Sequence, residues 1–402
     1  MSEEDQRALS GIRIVDFSQV LAGPFASQQL IQLGAEVIKI EPPEGDMTRS
    51  LIWHNEHGTS PSFLAGNFGK RSIRLDLKHP DARTVVDRLV AQADVVLENF
   101  KPGTMARLGL EYERLKAIKP DLIFASVSGF GQSGPLSEQP AFDGAIQAFS
   151  GMMSVSGDTA SGPLRTGYFA VDMSTALNAA FAISAALLRR ERTGLGQRLD
   201  VSMLETALFM QAPQLSNYCV SGQLPELIGN MSPTRQPTCN VFQSKDGFVQ
   251  IVALKEKHVQ RLFDVIGQGA DYARFNNPDI RLRETKAVNA ILQPAIARQP
   301  TRYWLEALTD AGIPVSPIQD YGDLVAHPQV HDRAAFVQQE YPPQSGELVD
   351  VVRAAHQGDK DRPQASGVAP TLGEHTLEVL DELGFNASDI ARFRDGGLIS
   401  PI

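Results

Sequence analysis

From residue 12 to residue 127, short apolar runs take turns with amphipathic stretches, and that alternation leaves little choice of architecture. Residues 12–17, Ile12 to Phe17, read as a strand. Residues 24–33 follow as a helix with Pro24 in its first turn, and 36–41 as a second strand. The unit then repeats. Residues 71–77 read as a strand, 80–93 as a helix, 95–100 and 122–127 as further strands, with a glycine-rich turn at 129–134 and an apolar segment at 144–153. Alternating β and α elements of this kind predict an α/β fold, a Rossmann-like, doubly wound parallel sheet. A strand at 197–201 and a helix at 203–212 extend it. The 402 residues leave room for a second core. Residues 213–238 turn rich in Pro, Gly, Ser, Asn and Gln, which predicts a linker or loop. Beyond it, Asp246-Gly247 between apolar runs predicts a hairpin over 241–254. Helical patterns at 258–266, 285–296 and 301–311 make this a smaller α+β domain. Pro314 and Pro317 forbid a helix at 312–318, and 372–383 is amphipathic.

The turn after the first strand, residues 19–24, lacks Gly-x-Gly-x-x-Gly, so a bound NAD or FAD is not expected. Asp and Glu outnumber Lys and Arg 47 to 37, a net charge of −10, which argues against nucleic acid and an anionic membrane surface as partners. An anionic ligand then needs local cations. Lys70, Arg71 and Lys78 flank one strand, and Lys101 and Arg107 follow another. The eight histidines, His54 and His57 among them, show no zinc-enzyme spacing, and Cys219 and Cys239 have none either, so no metal is expected. Residues 1–10 are polar and acidic and no run of 18 apolar residues occurs, which suggests a cytoplasmic protein without a membrane span.

One acid stands out. Asp172 opens a long apolar helix that passes Met173, Leu177, Phe181 and Leu187 to Arg189 and Arg190 and stops at Gly194. It reads either as an N-cap, which contributes about 1 kcal/mol, or as a carboxylate nucleophile. Asp143, after Phe142, reads as a second helix cap.

Ordered blocks along the chain carry a resemblance. They are Val15-Asp16-Phe17, Ala22-Gly23-Pro24, Gly34-Ala35-Glu36-Val37-Ile38-Lys39, Gly45-Asp46-Met47-Thr48-Arg49, Glu98-Asn99-Phe100-Lys101-Pro102-Gly103, Ser128-Gly129-Phe130-Gly131 and Leu372-Gly373-Glu374-His375. The chain resembles the class III CoA-transferases, the group of formyl-CoA transferase and L-carnitine CoA-transferase. Alpha-methylacyl-CoA racemase is a fold relative of that group. The resemblance implies Asp172 as nucleophile, with no permanently bound cofactor and a coenzyme A thioester as substrate. It implies CoA binding by Val20, Leu21, Ala22, Leu75, Lys78, Asn99, Phe100, Lys101, Arg107, Phe142 and Met203. It further implies an interlocked homodimer acting on acyl-CoA and a small carboxylate. The domains would be 1–215, which binds CoA, 225–325, and a return to the first over 335–402. Asp172 would pass through a mixed anhydride and an aspartyl-CoA thioester, with backbone N–H groups at the helix start stabilising the oxyanion.

Two departures qualify the likeness. Pro42 stands where formyl-CoA transferase has an arginine, and residues 229–240 do not match its glycine-rich loop, which weighs against oxalate. The racemase needs a Gly-His-Asp triplet, and the histidine position here is Phe142, which cannot move a proton. The racemase and a non-catalytic CoA-binding protein are the alternative readings.

Overall fold

A computed structural model describes residues 7–51, 60–343, 345–359, 362–364 and 367–399. His54, His57 and residues 1–6 lie outside them. The chain forms two compact units, Met1–Ser150 with Thr166–Ser216 and His331–Ile402, and Gly151–Arg165 with Asn217–Val330.

The first unit follows the alternation read from sequence. It runs β1 (Arg13–Asp16), α1 (Ala22–Gln32), β2 (Glu36–Glu41), α2 (Pro61–Asn67), β3 (Arg71–Arg74), α3 (Ala82–Ala91) and β4 (Val95–Glu98). Then come α4 (Thr104–Arg107), α5 (Tyr112–Ile118), β5 (Ile123–Ser128) and α6 (Asp143–Phe149). After a two-residue pair in the second unit, β6 (Gly157–Asp158) with β7 (Gly162–Pro163), come α7 (Ala170–Thr193), β8 (Gln197–Ser202) and α8 (Met203–Met210). The six strands of the sheet are all parallel, in the order β3-β2-β1-β4-β5-β8.

Neighbouring residues of one strand enter opposite cores, which is why the strands are apolar throughout rather than alternating. Ile14, Val37, Val95 and Leu97 pack on one face with α1 and α7, through Leu30, Ala176, Ala179 and Ile183. Val15, Ile38, Val96 and Phe124 pack on the other with Val85, Leu89 and Leu115 and with Val379, Leu380 and Phe393 from the chain's end. Each fully buried Val, Leu, Ile or Phe contributes about 1.5–3 kcal/mol. The alanine stripe of α7 brings it close to α1. With a mean hydropathy of 1.5 this 24-residue helix has the length and composition of a membrane span, properties that a helix half buried in such a core also needs.

The strand order reverses between β1 and β4, and in an open parallel sheet the crevice for ligands lies there, outside the carboxyl ends of the strands. Beneath it sits a buried set of ions. Asp16 ends β1 and accepts from Ser27 Oγ (2.6 Å) and Lys70 Nζ (3.1 Å). Lys39 Nζ reaches Asp46 Oδ2 at 2.8 Å, and Arg49 pairs with Glu41 on two atoms at 2.8 and 2.7 Å. Burial opposes ionisation of Asp16, but Lys70 and Lys39 outweigh it and hold the carboxyl below its ordinary range. Burial drags the Lys70 ammonium down to about 8, against the pull of Asp16.

In the second unit β9 (Cys239–Gln243) and β10 (Phe248–Val252) form the expected hairpin, Gln243 opposite Phe248, and β11 (Val315–Pro317) completes a three-stranded antiparallel sheet. Helices Glu256–Val265, Thr285–Ile296 and Thr301–Asp310 cover it through Leu262, Leu292, Trp304 and Leu308. Some elements differ from expectation. The start of the stretch read as a linker is helical, Ala212–Ser221, because Pro213 sits in the first turn, where its missing N–H costs nothing. In the first unit, strands Phe336–Glu340 and Leu348–Val352 form a hairpin that the mixed polar sequence did not reveal.

Candidate active site

Three loops at the carboxyl ends of β1, β4 and β5 and the start of α7 enclose a cavity of about 390 Å³. Val20, Leu21 and Ala22 line it, together with Asn99, Phe100, Lys101, Phe142, Asp172 and Met203. Nine of the residues carried over from the resemblance therefore meet in one place. Lys78 and Arg107 line a second cavity of about 460 Å³ with His79 and Arg83, and no carboxylate faces them among its lining residues. The Leu75 side chain lines neither and is buried in the core.

Each loop is shaped by close backbone approach. Gly23 has no room for a side chain, since a Cβ there would sit 2.2 Å from Ser18 Cβ. Gly129 is likewise forced, with Ala141 Cβ 2.3 Å from the same position. Gln19 is clamped by Asn99, which accepts from its N–H at 2.8 Å and donates to its carbonyl at 2.7 Å. The clamp ties the β1 loop to the β4 loop.

Asp172 is not an N-cap. Helix α7 begins at Ala170 with Phe169 as its cap residue, and Asp172 is the third residue of the first turn. The cap role falls to Asp143 from α6, whose Oδ2 accepts from the N–H groups of Val171 (2.8 Å) and Asp172 (3.2 Å). Sequence reading took Asp143 for a cap of its own helix, and only the fold brings it to another. The other first-turn amides are also committed, Ala170 to the Tyr168 carbonyl and Met173 to that of Phe169. The expectation that helix-start amides stabilise an oxyanion therefore fails.

The first unit buries six carboxylates among its described residues: Asp16, Glu41, Asp46, Glu98, Asp143 and Asp172. Donors hold five of them. Lys70, Arg49 and Lys39 serve the first three, the Phe100 amide serves Glu98 at 2.8 Å, and Gln147 Nε2 joins the α7 amides on Asp143 at 2.6 Å. Asp172, 8% exposed, receives no hydrogen bond on its carboxylate from any described residue. Burial, and then the charge of Asp143, push it up to about 7. Burial likewise raises Glu98 to about 7, beneath the Asn99–Lys101 loop. Ser128, the last residue of β5, lines the cavity with its Oγ buried and without a hydrogen-bond partner. Sequence reading had it only as part of a quoted block.

An acid raised in the folded state binds its proton more tightly there than in the unfolded chain. Asp172 therefore weighs on stability fully above about pH 7, and the burden fades as the pH falls toward its ordinary value near 3.8. Asp172→Asn is expected to melt a few degrees above the parent at about pH 8, with the gap closing by about pH 4. Calorimetry across that range checks it, and equal melting temperatures at pH 8 contradict the raised carboxyl.

Among the described residues no group of three or more His, Cys, Asp or Glu could hold a metal ion. The model of the family described as CoA-transferase family III matches residues 9–376. The chain is 36% identical over 386 residues to a succinate–glutarate CoA-transferase of Agrobacterium fabrum, covering 93% of this chain and 95% of the relative. It is 39% identical over 332 residues to an acetyl-CoA:oxalate CoA-transferase of Acetobacter aceti, covering 81% and 85%. A solved structure of a CaiB/BaiF family protein from Brucella suis superposes with a TM-score of 0.84 at 34% identity, covering 94% and 99%.

Proposed function

The chain belongs to CoA-transferase family III, an enzyme that moves CoA between acyl-CoA and a carboxylate, and from that premise we propose that it works through covalent catalysis by Asp172. The observation that carries the proposal is the Asp172 carboxylate, buried at the cavity wall with no hydrogen-bond donor on it among the described residues. An Oδ of Asp172 attacks the donor thioester carbonyl. The C–S bond breaks, CoA leaves as thiolate, and a mixed anhydride remains. The thiolate attacks the aspartyl carbonyl, releasing the donor acid and leaving an aspartyl-CoA thioester. The acceptor carboxylate attacks that carbonyl, and the thiolate then takes its acyl group, which frees Asp172. The first-turn amides of α7 are committed to other acceptors, so the oxyanion donor comes from elsewhere on the cavity wall. Phe142 and Met203 supply apolar wall against water.

The relatives' names point to short dicarboxylates as first acceptors to test, succinate and glutarate before oxalate. The test is CoA exchange from succinyl-CoA to a panel of such acids, and failure with every acid would overturn the reading. Phe142 supports transfer over racemisation. A 2-methylacyl-CoA held in D₂O is expected to gain no deuterium at its alpha carbon, and mass spectrometry of the recovered thioester reads this directly. The exposed Leu177, Phe181 and Phe209 on α7 and α8 support the homodimer that the likeness implies. A cytoplasmic location is part of the same reading.

A further inference from the structure

The Val20 backbone lies in the left-handed region, φ +69°, which for a β-branched residue costs on the order of 1–3 kcal/mol. Strain of that kind persists only where the surroundings over-determine it. They do so residue by residue. Ser18 gives its N–H to Asp16 Oδ1 at 2.9 Å, and its carbonyl accepts from Lys39 Nζ at 2.8 Å. Gln19 has both backbone groups on Asn99. Val20 N–H goes to Asp46 Oδ1 at 3.2 Å, while Asp46 Oδ2 is fixed by Lys39 at 2.8 Å. The Thr48 amide, at 2.9 Å, steadies the Oδ1 side. Asp46 is 2% exposed and Lys39 wholly buried, and Asp46 is absent from the cavity wall although its neighbour Met47 is on it.

We propose that Asp46 is a positioning residue for the acyl-CoA site. Pinned by Lys39, it holds Val20 in the left-handed turn, so that Val20, Leu21 and Ala22 stand on the cavity wall in the shape the thioester meets. The inference rests on the reading that this cavity takes CoA. It predicts an effect on binding and none on the chemistry at Asp172, which Asp46 does not touch. Asp46→Asn keeps the size of the side chain and an acceptor but loses the charge that Lys39 grips.

The test measures CoA binding by titration calorimetry, so that it is decided whether or not turnover is seen. Asp46→Asn is expected to weaken CoA about tenfold, with kcat within about twofold in the transfer assay. Glycine visits the left-handed region freely, so adding Val20→Gly to that variant is expected to bring binding back to within about threefold of the parent. A merely structural Asp46 would lower the melting temperature and show no such rescue. Should Asp46→Asn fail to fold, Val20→Pro asks the same question at the surface. Proline fixes φ near −65° and has no N–H for Asp46, so CoA should weaken at least about tenfold. Unchanged CoA binding in a folded Asp46→Asn or Val20→Pro, or an equal loss with glycine and valine at position 20, would overturn the proposal. If the parent chain binds CoA but does not transfer it, the function fails while the binding comparison still decides the loop. If the parent does not bind CoA, both fall.

Discussion

Asp172→Ala is expected to remove CoA transfer, with turnover down by at least about 10³-fold, while the fold survives. The two halves of that expectation have one cause. A buried carboxylate that no described residue donates to is a liability to the folded chain, so nothing seen to stabilise α7 is lost with it. Asp143 still caps the Val171 and Asp172 amides, and Ile183 and Leu187 still pack below. The reaction does lose its acceptor for the acyl group. Quenching the parent enzyme with succinyl-CoA should leave added mass on the peptide carrying Asp172, and hydroxylamine should remove it. Transfer at more than a trace in the alanine variant, or label on another residue, would rule out the covalent route. Loss of the folded state would instead show that Asp172 has a structural task.

Lys70→Met carries the largest expected cost in stability, about 3–5 kcal/mol, because it removes the cation in contact with the Asp16 charge in a sealed interior. The ammonium serves Asp16 (3.1 Å), the Pro24 carbonyl (3.0 Å) and Asn67 Oδ1 (3.0 Å), and methionine serves none of them. Asp16 is held below its ordinary range, so its contribution is present above about pH 4 and is lost as pH falls through the folded value. The deficit of the variant should therefore shrink in acid. Adding Asp16→Asn should recover part of it, the two changes being coupled through one contact. Urea unfolding of the intact chain reads both effects. A cost below about 1 kcal/mol at neutral pH would mean that the pair is replaceable.

The sheet was legible because its strands are continuous apolar runs between helices of the right length, and only the ends moved. Helix α1 starts at Ala22, two residues before the proline that announced it, and β1 is shorter by one residue at each end. Composition misled at Ala212–Ser221, where a stretch rich in Pro, Gly, Ser, Asn and Gln was read as a linker or loop although Pro213 occupies the one helical turn that tolerates it. The site was legible where backbone geometry is local, as in the turn ending at Gly23-Pro24. It was illegible where an interaction spans the chain. Asp143 meets the amides of Val171 and Asp172 across 28 and 29 positions, Asn99 meets Gln19 across 80, and Lys70 meets Asp16 across 54. No spacing rule for helices or turns covers such pairs. Ser128 stood out only as part of the Ser128-Gly129-Phe130-Gly131 block, since a serine at the end of a strand carries its meaning only in what surrounds it.

Phe142 and Asp143 are joined by one peptide bond, yet one lines the cavity while the other braces the first turn of α7. The placing of Phe142 relative to Asp172 is thus tied to covalent links and two hydrogen bonds, whatever the rest of the rim does. Exchanging residue 142 would resize the doorway without disturbing the aim of Asp172. A single exchange at residue 142 is therefore expected to change the range of acids accepted while Asp172 keeps its place.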